Sequence, residues 1–138
     1  MSMNKDAKKM EAQEAAKVIV QQLEEAITKT KGWHPQVYIG KTQDAEKREK
    51  EHLEENPPLL YFAILAEGSS QKINQLEKLC IEALSRSNKL QVLNKNGGGG
   101  GNPLADILYV AFSELVPGDD FGEYIDILID NNTFPIQL

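Results

Sequence analysis

Residues 36–68 read QVYIGKTQDAEKREKEHLEENPPLLYFAILAEG and contain the clearest signals for the fold class. It begins with a short Val-Tyr-Ile strand at residues 36–40. A very polar segment follows, which Thr42 or Asp44 can cap as a helix and which ends before two consecutive prolines. The stretch closes with LLYFAILA at residues 59–66, an apolar run that is typical of a buried central strand. A strand, a helix and a second strand in succession predict a domain of mixed α and β structure.

The flanking sequence adds two helices and further strands. Apolar residues recur at helical spacing from about residue 6 to residue 31, which predicts an amphipathic N-terminal helix over 6–31. Ser69 or Ser70 can cap a third helix. Residues 104–115 fit a helix and a strand equally well, and residues 124–129 fit a terminal strand.

Size and composition limit the class of protein. A length of 138 residues predicts one domain with its own core. Hydrophobic residues make up 41% and charged residues 26%, which is typical of globular proteins and argues against disordered and collagen-like chains. No apolar run is long enough to span a membrane, no signal peptide is visible, and the single Cys80 fits a reducing compartment. We therefore expect an intracellular protein that is neither secreted nor bound to a membrane.

The net negative charge of the chain comes from its C-terminal third. The net charge is −6, yet residues 1–95 sum to +1 and residues 96–138, which have no Lys or Arg, carry −7. Nucleic acid is bound mainly by Lys and Arg that neutralise phosphates. The first 95 residues can therefore accept nucleic acid, although weakly unless a partner supplies positive charge.

One carboxylate falls in the apolar face of the third helix. On a helical wheel, Glu77 lies between Leu84 and Ile81. An unpaired buried charge is costly, so Glu77 needs a cation, a metal ion or a hydrogen-bonding partner. A structural Lys or Arg is as good a candidate for that partner as a metal ion.

The polar second helix and the strand before it carry three more candidates. Arg48 and His52 are four residues apart and therefore share one helix face. Arg presents a planar fork to phosphate, and His exchanges a proton near neutral pH. Strand alternation directs Tyr38 and Gly40 to one side of the preceding strand. Taken singly, each side chain also has a structural explanation: packing for Tyr38, and a solvated helix surface for Arg48 and His52.

Together these residues resemble the GIY-YIG nuclease family of single-metal phosphodiesterases. The resemblance is carried by the segment from Tyr38 to Thr42 (Tyr-Ile-Gly-Lys-Thr), by Arg48 ten residues after Tyr38 and by His52 four residues after Arg48. A strand and the helix that bears Glu77 follow in the family order. Asn94, which precedes a run of glycines, resembles the asparagine of the family. The combination of spacings is more specific than any one of its members.

The resemblance implies an α+β fold in which a small antiparallel β-sheet is flanked by helices. It covers residues 36–101, about half of the chain. On this interpretation residues 1–138 are a single domain. An N-terminal helix at 6–31 precedes the GIY-YIG-like core at 36–101, and an acidic C-terminal extension at 102–138 packs on that core.

The resemblance also implies a metal-dependent endonuclease that hydrolyses phosphodiester bonds of DNA or RNA, with DNA favoured. It implies the catalytic residues Tyr38, Arg48, His52 and Glu77, and the substrate-binding residues Lys41 and Asn94. Glu77 would hold one Mg²⁺ or Mn²⁺ ion, and Arg48 would balance the charge of the scissile phosphate. Tyr38 and His52 would handle the attacking water. A protein partner would supply target selection, because no DNA-reading module is visible in the sequence.

The sequence departs from the family at one place. The family's first strand, Gly-Ile-Tyr, should lie about ten residues before Tyr38, where residues 32–35 read Gly-Trp-His-Pro and supply no tyrosine. Tyr61 on the apolar strand, or Tyr124 near the C-terminus, could replace it. The alternative function is a catalytically weak or inactive GIY-YIG-like domain that acts as an interaction or regulatory module through its acidic C-terminal region.

Overall fold

The computed structural model describes residues 9–28, 36–55, 61–88, 90–94, 103–112 and 134–138. In chain order the elements are α1 (Ala12–Thr28), β1 (Gln36–Thr42), α2 (Ala45–Leu53), β2 (Tyr61–Glu67), α3 (Ser70–Ser85), β3 (Gln91–Val92), β4 (Ile107–Phe112) and β5 (Ile136–Gln137). The protein is therefore an α+β protein. The strand predicted at residues 124–129 lies outside the described residues, as does the glycine run.

The described strands form one mixed sheet in the order β3-β1-β4-β2-β5. The three inner strands are antiparallel, because β4 pairs in that sense with both β1 and β2. The short outer strands differ: β3 runs parallel to β1, and β5 runs parallel to β2. Long connections separate the members of each outer pair, and such crossovers are what permit parallel pairing. The predicted antiparallel sheet thus describes the inner strands, and the sheet as a whole is mixed.

The central strand comes from a part of the chain that sequence patterns left ambiguous. Residues 107–112 form β4, and all of them after Ile107 are buried, as expected for a strand covered on both faces. The apolar run at 59–66 supplies β2, which lies between β4 and β5 and is not the central strand. Part of the segment predicted as an extension at 102–138, namely residues 107–112, forms the middle of the sheet.

Side-chain caps fix the starts of the second and third helices. The carboxylate of Asp44 accepts the backbone N–H of Lys47, and the hydroxyl of Ser69 accepts that of Lys72. The first and third helices pack against each other, and their buried residues join one continuous hydrophobic core with the sheet. No helix in the described part of the chain combines the length and the apolar character needed to cross a membrane.

Strand alternation gives the sheet two different faces. The core face carries Val37, Ile39, Leu108, Val110 and Phe112, which pack in the main core with residues of α1 and α3. The opposite face carries Tyr38, Phe62, Tyr109 and Ala111, which form a second, smaller cluster. The second helix lies over this opposite face, since its His52 ring contacts the aromatic rings there.

Candidate active site

Three of the residues predicted for the site lie together on the face covered by α2. The ring centroids of Tyr38 and His52 are 5.1 Å apart. Arg48 and His52, one helical turn apart, bring Nη2 of the arginine to 3.1 Å from Nε2 of the histidine. The local pattern, a strand followed at once by a capped helix, is enough to place these side chains side by side.

A residue that the sequence analysis missed, Tyr109, completes this group. It lies on β4 directly opposite Gly40 of β1. Its hydroxyl is 2.7 Å from Nε2 of His52 and accepts hydrogen bonds from Nε and Nη2 of Arg48 at 3.3 and 3.2 Å. Tyr38, Arg48, His52 and Tyr109 are called the phenol cluster below.

The sequence held a weak signal for Tyr109. Residues 107–112 are rich in β-branched and aromatic side chains, which favour a strand over a helix. The register that sets Tyr109 opposite Gly40 depends on pairing between segments about 70 residues apart. No local pattern specifies such a pairing.

Gly40 makes room for the cluster. A Cβ atom at this position would overlap the hydroxyl of Tyr109 and would lie 2.7 Å from Cε2 of Tyr38. Only a residue without a side chain lets both phenol rings approach the backbone of β1 in this way. The glycine of the Tyr-Ile-Gly motif is therefore explained here by the close approach of two tyrosines.

Two carboxylates that the sequence analysis did not select bind the outer side of the phenol cluster. Nη1 of Arg48 donates to Glu51 at 2.6 Å. Nδ1 of His52 lies 3.0 Å from a carboxylate oxygen of Glu55. Each cationic or titratable group of α2 in the cluster is therefore held by an acidic residue three positions further along the chain.

Burial shapes the protonation of the cluster. It raises the pKa of Tyr109 well above its usual value, and it raises the pKa of Tyr38, to which the negative charge of Glu77 also contributes. Both phenols are thus protonated at neutral pH. Burial lowers the pKa of Arg48, but hydrogen bonds to Tyr109 and Glu51 outweigh it and raise the pKa overall, so the guanidinium stays charged.

Glu77 is buried, as the helical wheel predicted, and is only 5% exposed. Its carboxylate forms an ion pair with Nζ of Lys41 at 3.5 Å, and Nζ also donates a hydrogen bond to Asn74. The side chain of Lys41 is itself 4% exposed. By alternation Lys41 leaves β1 on the side opposite to Tyr38, towards α3, yet the negative charge of Glu77 still acts on the Tyr38 phenol and raises its pKa.

Glu77 is predicted to bind a metal ion, and the side chains around it determine which kind of metal site it can form. Within the described ranges, no three Asp, Glu, His or Cys side chains come together as a closed metal site. Mg²⁺ does not need one, because it keeps several waters and is usually held by one or two carboxylates plus substrate phosphates. A single buried carboxylate fits that manner of binding, provided that Lys41 shares it with the ion.

Asn94, predicted to bind substrate, contacts the backbone of β1. Its side-chain oxygen accepts the N–H of Ile39 at 2.9 Å, and its side-chain nitrogen donates to the carbonyl of Ile39 at 2.7 Å. The amide thereby extends the short pairing of β3 with β1 by one more residue. In this structure Asn94 fixes the strand that carries Tyr38 and Gly40.

Of the two tyrosines considered as replacements for the missing one, Tyr61 falls within the described residues. Tyr61 is opposite Phe112 at one end of β2, whereas Ile64, three residues further on, is opposite Tyr109. Tyr124 is outside the described residues. Among the residues that the structure describes, Tyr109 is a second phenol, besides Tyr38, that contacts both Arg48 and His52.

Comparison with known proteins gives no external guide to function. Neither protein families, nor curated proteins, nor solved structures yield a match to this chain. Function is therefore inferred from the geometry of the phenol cluster and of the Lys41–Glu77 pair.

Proposed function

We propose that this protein is a metal-dependent nuclease of the GIY-YIG type that hydrolyses phosphodiester bonds, with DNA favoured over RNA. The observation that carries the proposal is the phenol cluster, in which two tyrosines, one arginine and one histidine meet on one face of the sheet. Hydrophobic packing does not explain why a guanidinium, an imidazole and two phenol hydroxyls meet at one largely buried place, because burying polar groups costs free energy unless they are hydrogen-bonded.

Tyr109 supplies the tyrosine that the family pattern lacks before Tyr38. In the family the first strand precedes the Tyr-Ile-Gly strand in sequence. In this chain β4, which follows α3, pairs antiparallel with β1 and sets Tyr109 opposite Gly40, which supports the assignment. On this proposal β4, from a later part of the chain, takes the place of the family's first strand.

The cluster offers the groups that phosphodiester hydrolysis requires. Arg48 is about one-third exposed at its side chain, so its guanidinium can exchange Glu51 for a phosphate oxygen while it stays bonded to Tyr109. A cation held in this way stabilises the charge that develops on the phosphate in the transition state. Tyr109 and His52 lie beside it, and His52 can receive the proton of an attacking water through the Tyr109 hydroxyl.

Glu77 would hold the divalent ion, Mg²⁺ or Mn²⁺. When bound, such an ion supplies positive charge against the phosphate and the leaving oxygen. The side chain of Lys41 would then move its ammonium group from the Glu77 carboxylate to the substrate phosphate, which is the substrate-binding role predicted for Lys41. Target selection by a protein partner remains part of this proposal.

One contact favours the second candidate, an interaction or regulatory protein that has lost activity. The ammonium of Lys41 already satisfies the carboxylate of Glu77 without a metal ion. A protein that had exchanged catalysis for binding through its acidic C-terminal region could keep this pair as a structural feature. Direct measurement of metal binding separates the two candidates.

The test combines cleavage with calorimetry. We expect the full chain to nick plasmid, branched DNA or RNA with Mg²⁺ or Mn²⁺ and to stop when EDTA is added. Mn²⁺ should bind in titration calorimetry, and Glu77→Gln should abolish both binding and cleavage, whereas the exposed Glu82→Gln on the same helix should retain both.

Glu77→Gln needs a folding control, because breaking one side of a buried ion pair costs about 3–5 kcal/mol. The double variant Lys41→Met/Glu77→Gln removes both charges and is expected to recover much of that stability. Absence of Mn²⁺ binding and of cleavage in the wild-type chain would favour the interaction protein.

A further inference from the structure

Glu55 lies where it can control the protonation of His52. The second helix ends at Leu53, and the backbone N–H of Glu55 donates to the carbonyl of His52 at 3.2 Å. This turn brings the Glu55 carboxylate back onto the imidazole, 3.0 Å from Nδ1. The carboxylate is about half exposed, whereas the imidazole side chain is 2% exposed.

Two independent neighbours specify which imidazole nitrogen carries the proton. A carboxylate accepts hydrogen bonds, so its position 3.0 Å from Nδ1 requires a proton on Nδ1. On the other side, Nη2 of Arg48 lies 3.1 Å from Nε2, and a guanidinium can only donate. Of the two neutral tautomers, both contacts fit the one with Nδ1 protonated and Nε2 free to accept.

The hydroxyl of Tyr109 is the group that Nε2 faces most closely. It lies 2.7 Å away, and its oxygen accepts two hydrogen bonds from Arg48, so its own proton is directed at Nε2. The carboxylate, the imidazole and the phenol therefore form a continuous line of hydrogen bonds. Burial keeps the pKa of Tyr109 raised, so the phenol needs an acceptor for its proton before it can take one from water.

We propose that Glu55 is a positioning residue that holds His52 in the Nδ1-protonated form, so that Nε2 receives the Tyr109 proton during hydrolysis. The inference rests on the proposed nuclease function. Substrate binding must first admit water to Tyr109, which is fully buried in the free protein, and Nε of Arg48 must turn from the Tyr109 oxygen to the phosphate, which frees an acceptor position on the phenol. As the water oxygen attacks phosphorus, its proton then passes to the Tyr109 oxygen, and the Tyr109 proton passes to Nε2. The bond from phosphorus to the leaving oxygen breaks with its electron pair on that oxygen, which takes a proton from solvent. The imidazolium, paired with Glu55, later returns its proton to solvent.

Within the described part of the chain, one helix with the turn after it and three strands contribute groups that face His52. Arg48 and Glu55 belong to its own helix and the turn that follows, Tyr38 to β1 and Tyr109 to β4, and β2 contributes the uncharged ring of Phe62. Glu55 is the one carboxylate in this set. Its removal therefore takes away the acceptor of the Nδ1 proton and leaves Arg48 as the remaining group that favours an unprotonated Nε2.

The first measurement is the tautomer itself, which does not depend on activity. The full chain with ¹⁵N-labelled histidine is studied by NMR at a pH where the imidazole is neutral, and the His52 signals are identified by their loss in His52→Asn. We expect a protonated Nδ1 and an unprotonated Nε2 in the wild type and in Glu54→Ala, and a partial shift of population towards a protonated Nε2 in Glu55→Ala, because Arg48 still favours an unprotonated Nε2 there. An unchanged tautomer in Glu55→Ala overturns the proposal.

The second measurement is the split between kcat and KM for nucleic-acid cleavage. Glu55→Ala should lower kcat by about 10-fold or more, because a general base with the wrong tautomer cannot accept the proton. Removal of a negative charge should by itself lower KM for the nucleic-acid substrate. Glu54 is exposed and adjacent to Glu55, so the Glu54→Ala variant measures this effect of charge alone. Equal kcat in both variants contradicts the role of Glu55. A wild-type chain with no cleavage contradicts the nuclease proposal instead, while the tautomer measurement still tests the hydrogen-bond arrangement.

Discussion

The two faces of β4 show how one strand serves two different purposes. Leu108, Val110 and Phe112 point into the main core, where they pack with the helices α1 and α3. Tyr109 and Ala111 point to the other side, where the Tyr109 hydroxyl bonds to Arg48 and His52. Both sets are fully buried, so burial does not distinguish them. The difference lies in the partners: apolar side chains on one face, and polar groups joined by hydrogen bonds on the other.

The comparison predicts that stability depends mainly on the core face and activity on the face that α2 covers. The two properties should therefore respond to different substitutions, even between neighbouring residues of the same strand. The following predictions test this separation, beginning with the largest expected effect.

Phe112→Ala should cause the largest loss of stability. The side chain is fully buried in the main core, and its truncation leaves a cavity that lowers the free energy of unfolding by about 3–5 kcal/mol. Tyr109→Phe, which keeps the ring, should cost much less. Urea denaturation measures both values, and a Tyr109→Phe variant that is less stable than Phe112→Ala would remove the proposed distinction between the faces.

Arg48→Ala should cause the largest loss of activity with little loss of stability. Removal of one preorganised donor to the transition state lowers kcat by about 10²–10³-fold, or about 2.7–4 kcal/mol. Arg48→Lys should fall nearly as far, because an ammonium lacks the fork that reaches Tyr109 and phosphate together.

The matched control for Arg48 is Lys47→Ala, an exposed cation on the same helix. It should retain kcat, since it loses only a solvated charge. Steady-state cleavage kinetics and thermal melts on the three variants provide the measurement. If Lys47→Ala and Arg48→Ala lose activity equally, general charge rather than the cluster controls turnover.

Gly40→Ala should affect stability and activity together. The added methyl group meets Tyr109 and Tyr38, and overpacking of this kind costs about 1–3 kcal/mol. In a Tyr109→Ala background the same change should cost less, because the overlapping ring is gone, and this difference gives a coupling energy between the two positions.

The control for this substitution is Gly68→Ala, whose Cβ would lie 2.6 Å from Cβ of Leu138 and thus cause strain at a distance from the phenol cluster. It should lower the melting temperature but leave kcat unchanged at temperatures where the protein is folded. Additive effects of Gly40→Ala and Tyr109→Ala would show that the two residues do not approach each other as the structure indicates.

The smallest expected effect is a loss of stability at alkaline pH. Burial raises the pKa of Tyr109 above the value of 10.0 that applies to an exposed phenol. Above about pH 10 the unfolded chain has released this proton and the folded chain retains it, so the unfolded state binds fewer protons and stability falls as pH rises. Below that pH the contribution is fully present.

Tyr109→Phe removes this titrating group and should flatten the decline of unfolding free energy between about pH 9 and pH 11. Tyr38, whose pKa is also raised, should leave part of the decline in place. Denaturant titrations across this range, compared between wild type and variant, measure the slope. Identical slopes would mean that the Tyr109 phenol titrates alike in the folded and unfolded states.

Local sequence determined a large part of this protein. The caps at Asp44 and Ser69, the polar face of α2 and the buried position of Glu77 all follow from patterns within a few helical turns. The same short range brings Arg48 and His52 together, because residues four apart share a helix face. These features were predictable, since each depends on neighbours in the chain.

Tertiary structure alone decided the identity of the central strand and, with it, the fourth member of the phenol cluster. Residues 107–112 are apolar at nearly every position, so their sequence has no periodicity that separates a helix from a strand. Their role was set by pairing with β1 and β2, which lie far away in sequence, and the register of that pairing carried Tyr109 to Gly40. The partner of Glu77 was decided in the same way, because Lys41 reaches it only once α3 packs on β1. A sequence specifies which groups need partners, but which residues meet across the sheet depends on long-range packing and register.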